Sequence, residues 1–222
     1  MSIVKIKKII KKKGKYPIVC LTSYSRFTAE ILDKYCDIIL VGDSLGMVLY
    51  GFKNTKEVTL QTMIQHAKTV KKFAKKSLVV FDMPYKTYSN KITAYKNAKK
   101  VLKITKCDAV KLEGGKEIIN IVKHLVKKGI PVMGHIGLLP QSASKFKLQG
   151  KNILQRKKIF NDALVLSKSG VFSIVIECVV ESLAKKITEG VDVPTIGIGA
   201  SINCDGQILV TDDLVGMSSL SP

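Results

Sequence analysis

Eight short apolar segments recur along this chain, and their number and spacing limit its fold more than any other feature. They are residues 16–24, 37–43, 77–84, 108–115, 130–138, 172–179, 193–200 and 207–213. Segments with apolar residues at helical spacing separate them. Strands that are apolar at nearly every position are buried on both faces, which is typical of a parallel sheet covered by helices. The pattern therefore predicts an α/β fold, namely a (β/α)8 TIM barrel, with a doubly wound sheet as the alternative.

The length of the chain bears on its domain organisation. At 222 residues the chain is near the lower limit for such a barrel, and no repeat, low-complexity tract or linker divides it. We therefore predict a single domain over residues 1–222. Residues 1–14 are expected to form a short basic N-terminal helix, with Ile3, Ile6 and Ile10 on one face. Residues 214–222 are too few for the last barrel helix, so we expect a C-terminally short barrel.

Several helix boundaries are also predicted by the sequence. One helix carries an apolar face over residues 63–74, and a second is expected to begin after Ser89, because serine is a favourable N-cap residue. Gly129 and Gly170 lie where the glycines that end helices occur. These elements alternate with the strands, as the barrel requires.

Five successive predicted strands end on a polar or charged residue: Asp43, Asp82, Glu113, His135 and Glu177. In a (β/α)8 barrel the C-terminal ends of the strands meet at one rim, and catalytic groups lie there. One such residue alone is more often a helix cap or a satisfied core residue. Five in succession favour a functional site at this rim.

Three carboxylates with little histidine or cysteine nearby form an oxygen-rich site, which suits Mg2+. Such an ion polarises a carbonyl group and stabilises an enolate. Lys111 and Ser44 lie beside two of the carboxylates and are predicted to hold a substrate carboxylate. The alternatives are an ion pair for Lys111 and an N-cap for Ser44. Glu177 is a candidate general base, and His135 is expected to hydrogen-bond substrate or a neighbouring acid rather than metal.

Composition excludes several classes of protein. The formal charge is +20, but it comes almost wholly from lysine, whereas readers of nucleic acids favour arginine and stacking aromatics. We therefore interpret the lysines as solvated helix faces and predict no nucleic-acid partner. Five scattered cysteines favour reduced thiols over disulfides or a zinc site. The apolar runs are shorter than the ~18 residues of a membrane span, and we find no signal peptide, so we expect a cytoplasmic protein without a membrane partner.

Six segments carry a resemblance to a known family. In order they are LVGDSLGM, FDMPY, VKLEGG, GHIGLLPQS, IECV and IGIGASINCDGQILV. Together they resemble the motifs of the ketopantoate hydroxymethyltransferase family, in the order of that family and with similar spacing. The resemblance implies a (β/α)8 barrel that assembles into a homo-oligomer, commonly a decamer. It also implies transfer of a one-carbon unit from 5,10-methylenetetrahydrofolate to 3-methyl-2-oxobutanoate, giving 2-dehydropantoate for pantothenate and coenzyme A synthesis.

The same resemblance assigns roles to the rim residues. It implies Mg2+ ligation by Asp43 and Asp82, with Glu113 at or near the metal, and proton removal by Glu177. The oxo acid would then be bound by Asp43, Ser44, Asp82, Lys111 and His135. The implied reaction passes through a Mg2+-stabilised enolate, which attacks the methylene group carried by the folate.

The chain departs from the family pattern at several points. Ser25, Leu139 and Val180 stand where the family commonly has Asp, Thr and Pro, and the segment after 144 is shortened. Members of the family normally continue for a few dozen residues beyond the last motif. Whether this chain assembles into the same homo-oligomer is therefore left open by the sequence. Three alternatives therefore stay open: another Mg2+-dependent carbon–carbon lyase of 2-oxo acids, a catalytically degenerate barrel kept for assembly, and a nucleic-acid-binding protein.

Overall fold

Eight parallel strands form a closed barrel in the computed structural model, which describes residues 2–143 and 145–217. Neighbouring strands follow chain order, and β8 pairs with β1, where Gly206 lies opposite Ile18. This closure confirms the predicted (β/α)8 barrel over the doubly wound sheet. The strands are β1 Ile18–Thr22, β2 Ile38–Val41, β3 Leu78–Asp82, β4 Ala109–Glu113, β5 Val132–Gly137, β6 Ser173–Glu177, β7 Thr195–Ile198 and β8 Gly206–Leu209.

The helices lie between the strands. They are α1 Ser2–Lys11, α2 Arg26–Leu32, α3 Leu45–Val48, α4 Leu60–Phe73, α5 Lys91–Thr105, α6 Ile119–Lys127, α7 Ile153–Ser167, α8 Glu181–Gly190 and α9 Thr211–Leu214, with short 3-10 turns at Thr55–Glu57 and Lys116–Ile118. The predicted apolar face of α4 is buried against the barrel. Among the described helices, none combines the length and the apolar character needed to cross a bilayer.

The helix ends agree with the prediction at two glycines and differ from it at the N-cap of α5. Gly129 and Gly170 have φ values of +77° and +85°, in the left-handed region that glycine adopts without a Cβ clash. The N-cap of α5 is Asn90, not Ser89 as predicted. Its side-chain oxygen accepts hydrogen bonds from the backbone N–H groups of residues 92 and 93, and an asparagine caps as well as a serine.

The last predicted strand is too long. It was predicted over 207–213, but β8 ends at Leu209 and residues 211–213 belong to α9. Thr211 turns the chain because its N–H donates to Thr22 Oγ1 (3.0 Å) and its hydroxyl donates to the backbone oxygen of Thr22 (2.5 Å). After β8 the described chain therefore offers only a four-residue helix. Val19 of β1 and Leu209 of β8 are each 44% exposed on the outside of the barrel.

The end of the barrel where the strands begin is filled by α1. Ile6 and Ile9 are buried in one apolar cluster with Ile18 and Ile38, the first residues of β1 and β2. The predicted face of α1 is therefore wrong in part, because Ile3 and Ile10 are exposed. All five cysteines are free and four are buried, as the sequence predicted. With this end closed, the opposite rim is left for a site.

Candidate active site at the C-terminal rim

The five polar residues predicted to share a rim converge in the structure. Asp82, Glu113 and Glu177 are the last residues of β3, β4 and β6. Asp43 follows β2 by two residues, and His135 lies two residues before the end of β5. Strand register places Glu113 opposite His135. Their convergence follows from the parallel direction of all eight strands.

Buried charged groups link four neighbouring strands. Lys111 Nζ on β4 lies 3.0 Å from Asp82 Oδ1 and 3.8 Å from Glu113 Oε1. His135 Nδ1 lies 3.5 Å from Glu113 Oε1, and its Nε2 lies 3.1 Å from Glu177 Oε2. The ion pair predicted from the sequence as the alternative role of Lys111 is therefore present, and it keeps the lysine charged beside the carboxylates. Burial by itself lowers the pKa of Lys111, but Asp82 and Glu113 raise it above its ordinary value.

Asp43 and Asp82 form a close, buried acidic pair. The backbone N–H of Asp43 donates to Asp82 Oδ2 at 3.2 Å, and the two residues are only 4% and 2% exposed. Burial raises the pKa of both carboxyls, and the charge of Asp82 raises that of Asp43 further. Two ionised carboxylates in this position need a compensating cation, since an uncompensated buried charge is costly.

The donor set of this pair fits Mg2+. Asp82 Oδ1 is buried, and although Lys111 lies nearby, no described residue donates a well-aligned hydrogen bond to it. Mg2+ takes one or two carboxylates and fills its other positions with water and substrate oxygens. Two aspartates are therefore enough. Within residues 2–143 and 145–217, no cluster of three or more His, Cys, Asp or Glu side chains is arranged to enclose a metal.

Glu113 is held by other partners. Its Oε2 accepts the backbone N–H of Gln141 at 3.1 Å, and Oε1 faces His135 and Lys111. Burial alone would raise the pKa of Glu113, but the hydrogen bond and charge of His135 and the charge of Lys111 lower it overall. The residue is thus an ionised carboxylate at neutral pH. Its membership of the metal ligand set stays a prediction.

His135 sits between two acids. Burial and the charge of Lys111, whose Nζ lies 3.2 Å from His135 Nδ1, lower its pKa, but the adjacent carboxylates of Glu113 and Glu177 outweigh them and raise the pKa to about 9. The two acids therefore favour the protonated imidazole, whose Nε2 lies next to Glu177. The Glu177 side chain is 14% exposed, against 3% for Asp82 and Glu113. It is the most accessible of these three carboxylates.

Ser44 makes a contact that the sequence did not predict. It stands at the N-cap position of α3, but its side chain makes no capping bond. Its hydroxyl instead lies 2.7 Å from the hydroxyl of Tyr24, a buried residue two positions after β1. Burial raises the pKa of Tyr24, which therefore stays protonated. Applying the rim rule to β1 as well would have identified Tyr24.

Gln141 is a second residue that sequence reasoning missed. It lies in the loop after β5 and is 2% exposed. Its side-chain nitrogen donates to Asp43 Oδ2 at 2.8 Å. The sequence contains this residue in GHIGLLPQS, but no spacing rule for strands points to it, because it acts from a loop.

Two cavities of the described structure lie away from the rim. A cavity of about 530 Å3 lies beside Lys116 and Asp162, and one of about 340 Å3 lies against the outside of β1 and β8. Neither is lined by any of the rim residues above. Gly137, the last residue of β5, has a φ of +94° that suits glycine, and a Cβ there would clash with the backbone oxygen of Glu177 on β6.

Comparison with known sequences gives one consistent family. A family profile described as Ketopantoate hydroxymethyltransferase matches residues 3–222. A 3-methyl-2-oxobutanoate hydroxymethyltransferase of Pelagibacter ubique (strain HTCC1062) is 59% identical over 97% of this chain and 84% of its own length. The enzymes of that name from Phenylobacterium zucineum and Anaplasma marginale (strain Florida) are 49% and 51% identical, over 96% and 95% of this chain and 79% and 77% of their own.

Comparison with solved structures supports the barrel. A phosphonopyruvate hydrolase in complex with oxalate and Mg2+ has a TM-score of 0.72 at 8% identity, covering 96% of this chain and 84% of that chain. A 2,3-dimethylmalate lyase, described as a member of the PEP mutase/isocitrate lyase superfamily, has a TM-score of 0.72 at 13% identity, covering 98% and 83%. At these identities the likeness shows the fold alone.

Proposed function

The chain belongs to the ketopantoate hydroxymethyltransferase family, and from that premise we propose that it transfers a hydroxymethyl group to 3-methyl-2-oxobutanoate. The donor in this proposal is 5,10-methylenetetrahydrofolate and the product is 2-dehydropantoate, for pantothenate and coenzyme A synthesis. One observation carries the proposal most strongly. The buried Asp43–Asp82 pair adjoins Lys111, while Glu177 is the more exposed carboxylate of the same cluster.

Binding of the oxo acid is the first role of the site. Lys111 supplies a buried positive charge for the substrate carboxylate, and the Ser44 hydroxyl is oriented by Tyr24. Asp43 and Asp82, with Glu113 beside them, would hold Mg2+. When bound, Mg2+ withdraws electron density from the keto oxygen and makes the neighbouring C–H bond more acidic. His135 completes the polar wall of the site.

Proton transfer is the second role. Glu177 accepts the proton from the branched carbon, and the resulting enolate carbon forms a bond to the one-carbon unit of the folate. Both bonds between that unit and the two folate nitrogens break, and water supplies the hydroxyl oxygen of the product. The proton taken by Glu177 and one proton of the water end on the two folate nitrogens. His135 Nε2 lies 3.1 Å from Glu177 Oε2, so the imidazole adjoins the carboxylate that takes the proton.

The lyase alternative has less support. The lyase with the same fold is only 13% identical to this chain, whereas the hydroxymethyltransferases are 49–59% identical. A degenerate barrel is also disfavoured, because Asp43, Ser44, Asp82, Lys111 and Glu177 are all in place at the rim. A cytoplasmic location, a homo-oligomer and the lack of a nucleic-acid partner stay predictions.

A direct assay tests the proposed function. The purified chain is incubated with 3-methyl-2-oxobutanoate, 5,10-methylenetetrahydrofolate and Mg2+, and 2-dehydropantoate is measured by mass spectrometry. We expect product only in the complete mixture. A folded protein that forms no product, or one that cleaves 2-oxo acid derivatives without folate, would contradict the proposal.

A further inference from the structure

The side chain of Gln141 joins three parts of the rim through three hydrogen bonds, with both of its polar atoms in use. Its Nε2 donates to Asp43 Oδ2 at 2.8 Å and to the backbone oxygen of Met83 at 3.0 Å. Its Oε1 accepts the hydroxyl of Tyr88 at 2.5 Å. Such a buried, hydrogen-bonded amide is held in one place, because any movement would leave several polar groups without partners.

The orientation of the amide follows from these partners. A backbone oxygen cannot donate, so the amide atom that lies 3.0 Å from the oxygen of Met83 must be the nitrogen. Tyr88 then donates to the amide oxygen. Asp43 therefore always faces an N–H group of Gln141 and never its carbonyl oxygen.

This arrangement leaves the two oxygens of Asp43 unequal. Oδ2 is occupied by Gln141, while no described residue donates a hydrogen bond to Oδ1. The backbone N–H of Gln141 also donates to Glu113 Oε2 at 3.1 Å. One loop residue thus holds carboxylates delivered by β2 and β4, which are not adjacent in the barrel.

We infer that Gln141 is a positioning residue that orients the Asp43 carboxylate for a divalent cation, and that Tyr88 orients Gln141 in turn. Outer partners of this kind fix the direction in which a ligand oxygen points. The inference rests on the proposed function, because it takes Asp43 to be a metal ligand. It adds two residues outside the strands, Gln141 and Tyr88, to the residues that position the proposed metal ligands.

Metal affinity is the property that tests this role. Gln141→Met keeps the length of the side chain and removes its donors, while the backbone bond to Glu113 remains. We expect Mg2+ binding, measured by titration calorimetry without substrate, to weaken roughly 10- to 100-fold. Tyr88→Phe removes the hydroxyl that holds the amide oxygen and that also accepts a long hydrogen bond from the backbone N–H of Glu113 at 3.4 Å, and the expected loss is about 2- to 10-fold.

The control is Gln207→Met. Gln207 also bridges a loop, since its Nε2 donates to the backbone oxygen of Ser201 at 2.9 Å, but it touches none of the rim residues. Its Mg2+ affinity should equal that of the parent. Thermal unfolding of all variants without Mg2+ separates lost stability from lost affinity, and activity of Gln141→Met should largely return at saturating Mg2+.

The outcomes distinguish this inference from the proposed function. A parent that binds Mg2+, with Gln141→Met binding it equally well, overturns the positioning role alone. A parent that binds no Mg2+ overturns the metal site and this inference with it. If Gln141→Met does not fold, Tyr88→Phe decides, and an unchanged affinity in that variant overturns the inference.

Discussion

At the scale of single residues, the site pairs each acid with a different partner. Asp43 and Asp82 lie together, Glu113 faces His135 and Lys111, and Glu177 faces the outer side of the imidazole. These different surroundings suit the acids to different roles. A deeply buried acidic pair suits a cation, whereas an accessible carboxylate suits proton transfer.

Glu177→Gln should separate binding from proton transfer. The amide keeps the shape of the side chain but cannot accept the proton, so solvent deuterium exchange at the branched carbon, without folate, should fall by roughly 10²–10⁴-fold. Affinity for the oxo acid, measured by calorimetry, should persist. The exposed Glu181→Gln is a matched control with unchanged exchange. Exchange at the parental rate in Glu177→Gln would make Glu113 the next candidate base.

Asp43→Ala and Asp82→Ala should each abolish Mg2+-dependent binding of the oxo acid. The reason is that the proposed site holds Mg2+ with two aspartates, so either variant removes one of its two carboxylate ligands. Circular dichroism should show a folded barrel in both variants, and the exposed Asp192→Ala should bind as the parent does. Parental binding of Mg2+ and substrate by either rim variant would show that the metal site has been misplaced.

At the scale of elements, a carboxylate after α2 connects two neighbouring parts of the barrel. Asp33, at the end of α2, accepts the backbone N–H groups of Lys75, Lys76 and Ser77, which lead into β3. Burial alone would raise the pKa of Asp33, but these three hydrogen bonds bring it below its ordinary value. The ionised carboxylate therefore joins two neighbouring βα units.

Asp33→Ala should lower the free energy of unfolding by about 1–3 kcal/mol, toward the lower end because the site is partly exposed. The pKa of Asp33 is lower in the folded state, so its stabilisation is complete above the unfolded pKa of about 3.9 and is lost as the pH falls through the folded value. Urea unfolding between pH 3 and 7 should show the parent and variant converging at low pH. A constant difference would contradict this role.

At the scale of the whole molecule, the two ends of the barrel have different tasks. The rim carries the charged cluster, and α1 fills the other end with Ile6 and Ile9. The net charge of +20 comes almost wholly from lysines, which lie mainly on exposed helix faces. Assembly into a homo-oligomer stays a prediction.

Ile9→Ala should destabilise the barrel without altering the site. Ile9 is 3% exposed, so the lost methyl groups leave a cavity that costs about 2–5 kcal/mol. Ile3→Ala is the matched control in the same helix, because Ile3 is 67% exposed and should contribute little. Urea unfolding gives the stability, and calorimetry should give unchanged Mg2+ affinity. A weakened Mg2+ affinity in Ile9→Ala would show that the two ends are coupled.

The sequence by itself determined the barrel and most of the rim. Strand periodicity shows which segments are buried, and parallel strands must end on the same side, so Asp43, Asp82, Glu113, His135 and Glu177 were predicted together. Both signals are local, since the apolar run and the polar residue near its end belong to the same short segment, although the exact strand ends differ, as at β8. The resemblance to a family then suggested the chemistry of that rim.

Only the tertiary structure decided the partners of those residues. Gln141 contacts Asp43 across 98 positions of the chain, from a loop without periodicity. Tyr24 meets Ser44 in the same way, from another strand end. The buried face of α1 also depends on the shape of the barrel end, which selects Ile9 over Ile10. Contacts between side chains of distant segments depend on how strands and loops pack, and no local pattern encodes that packing.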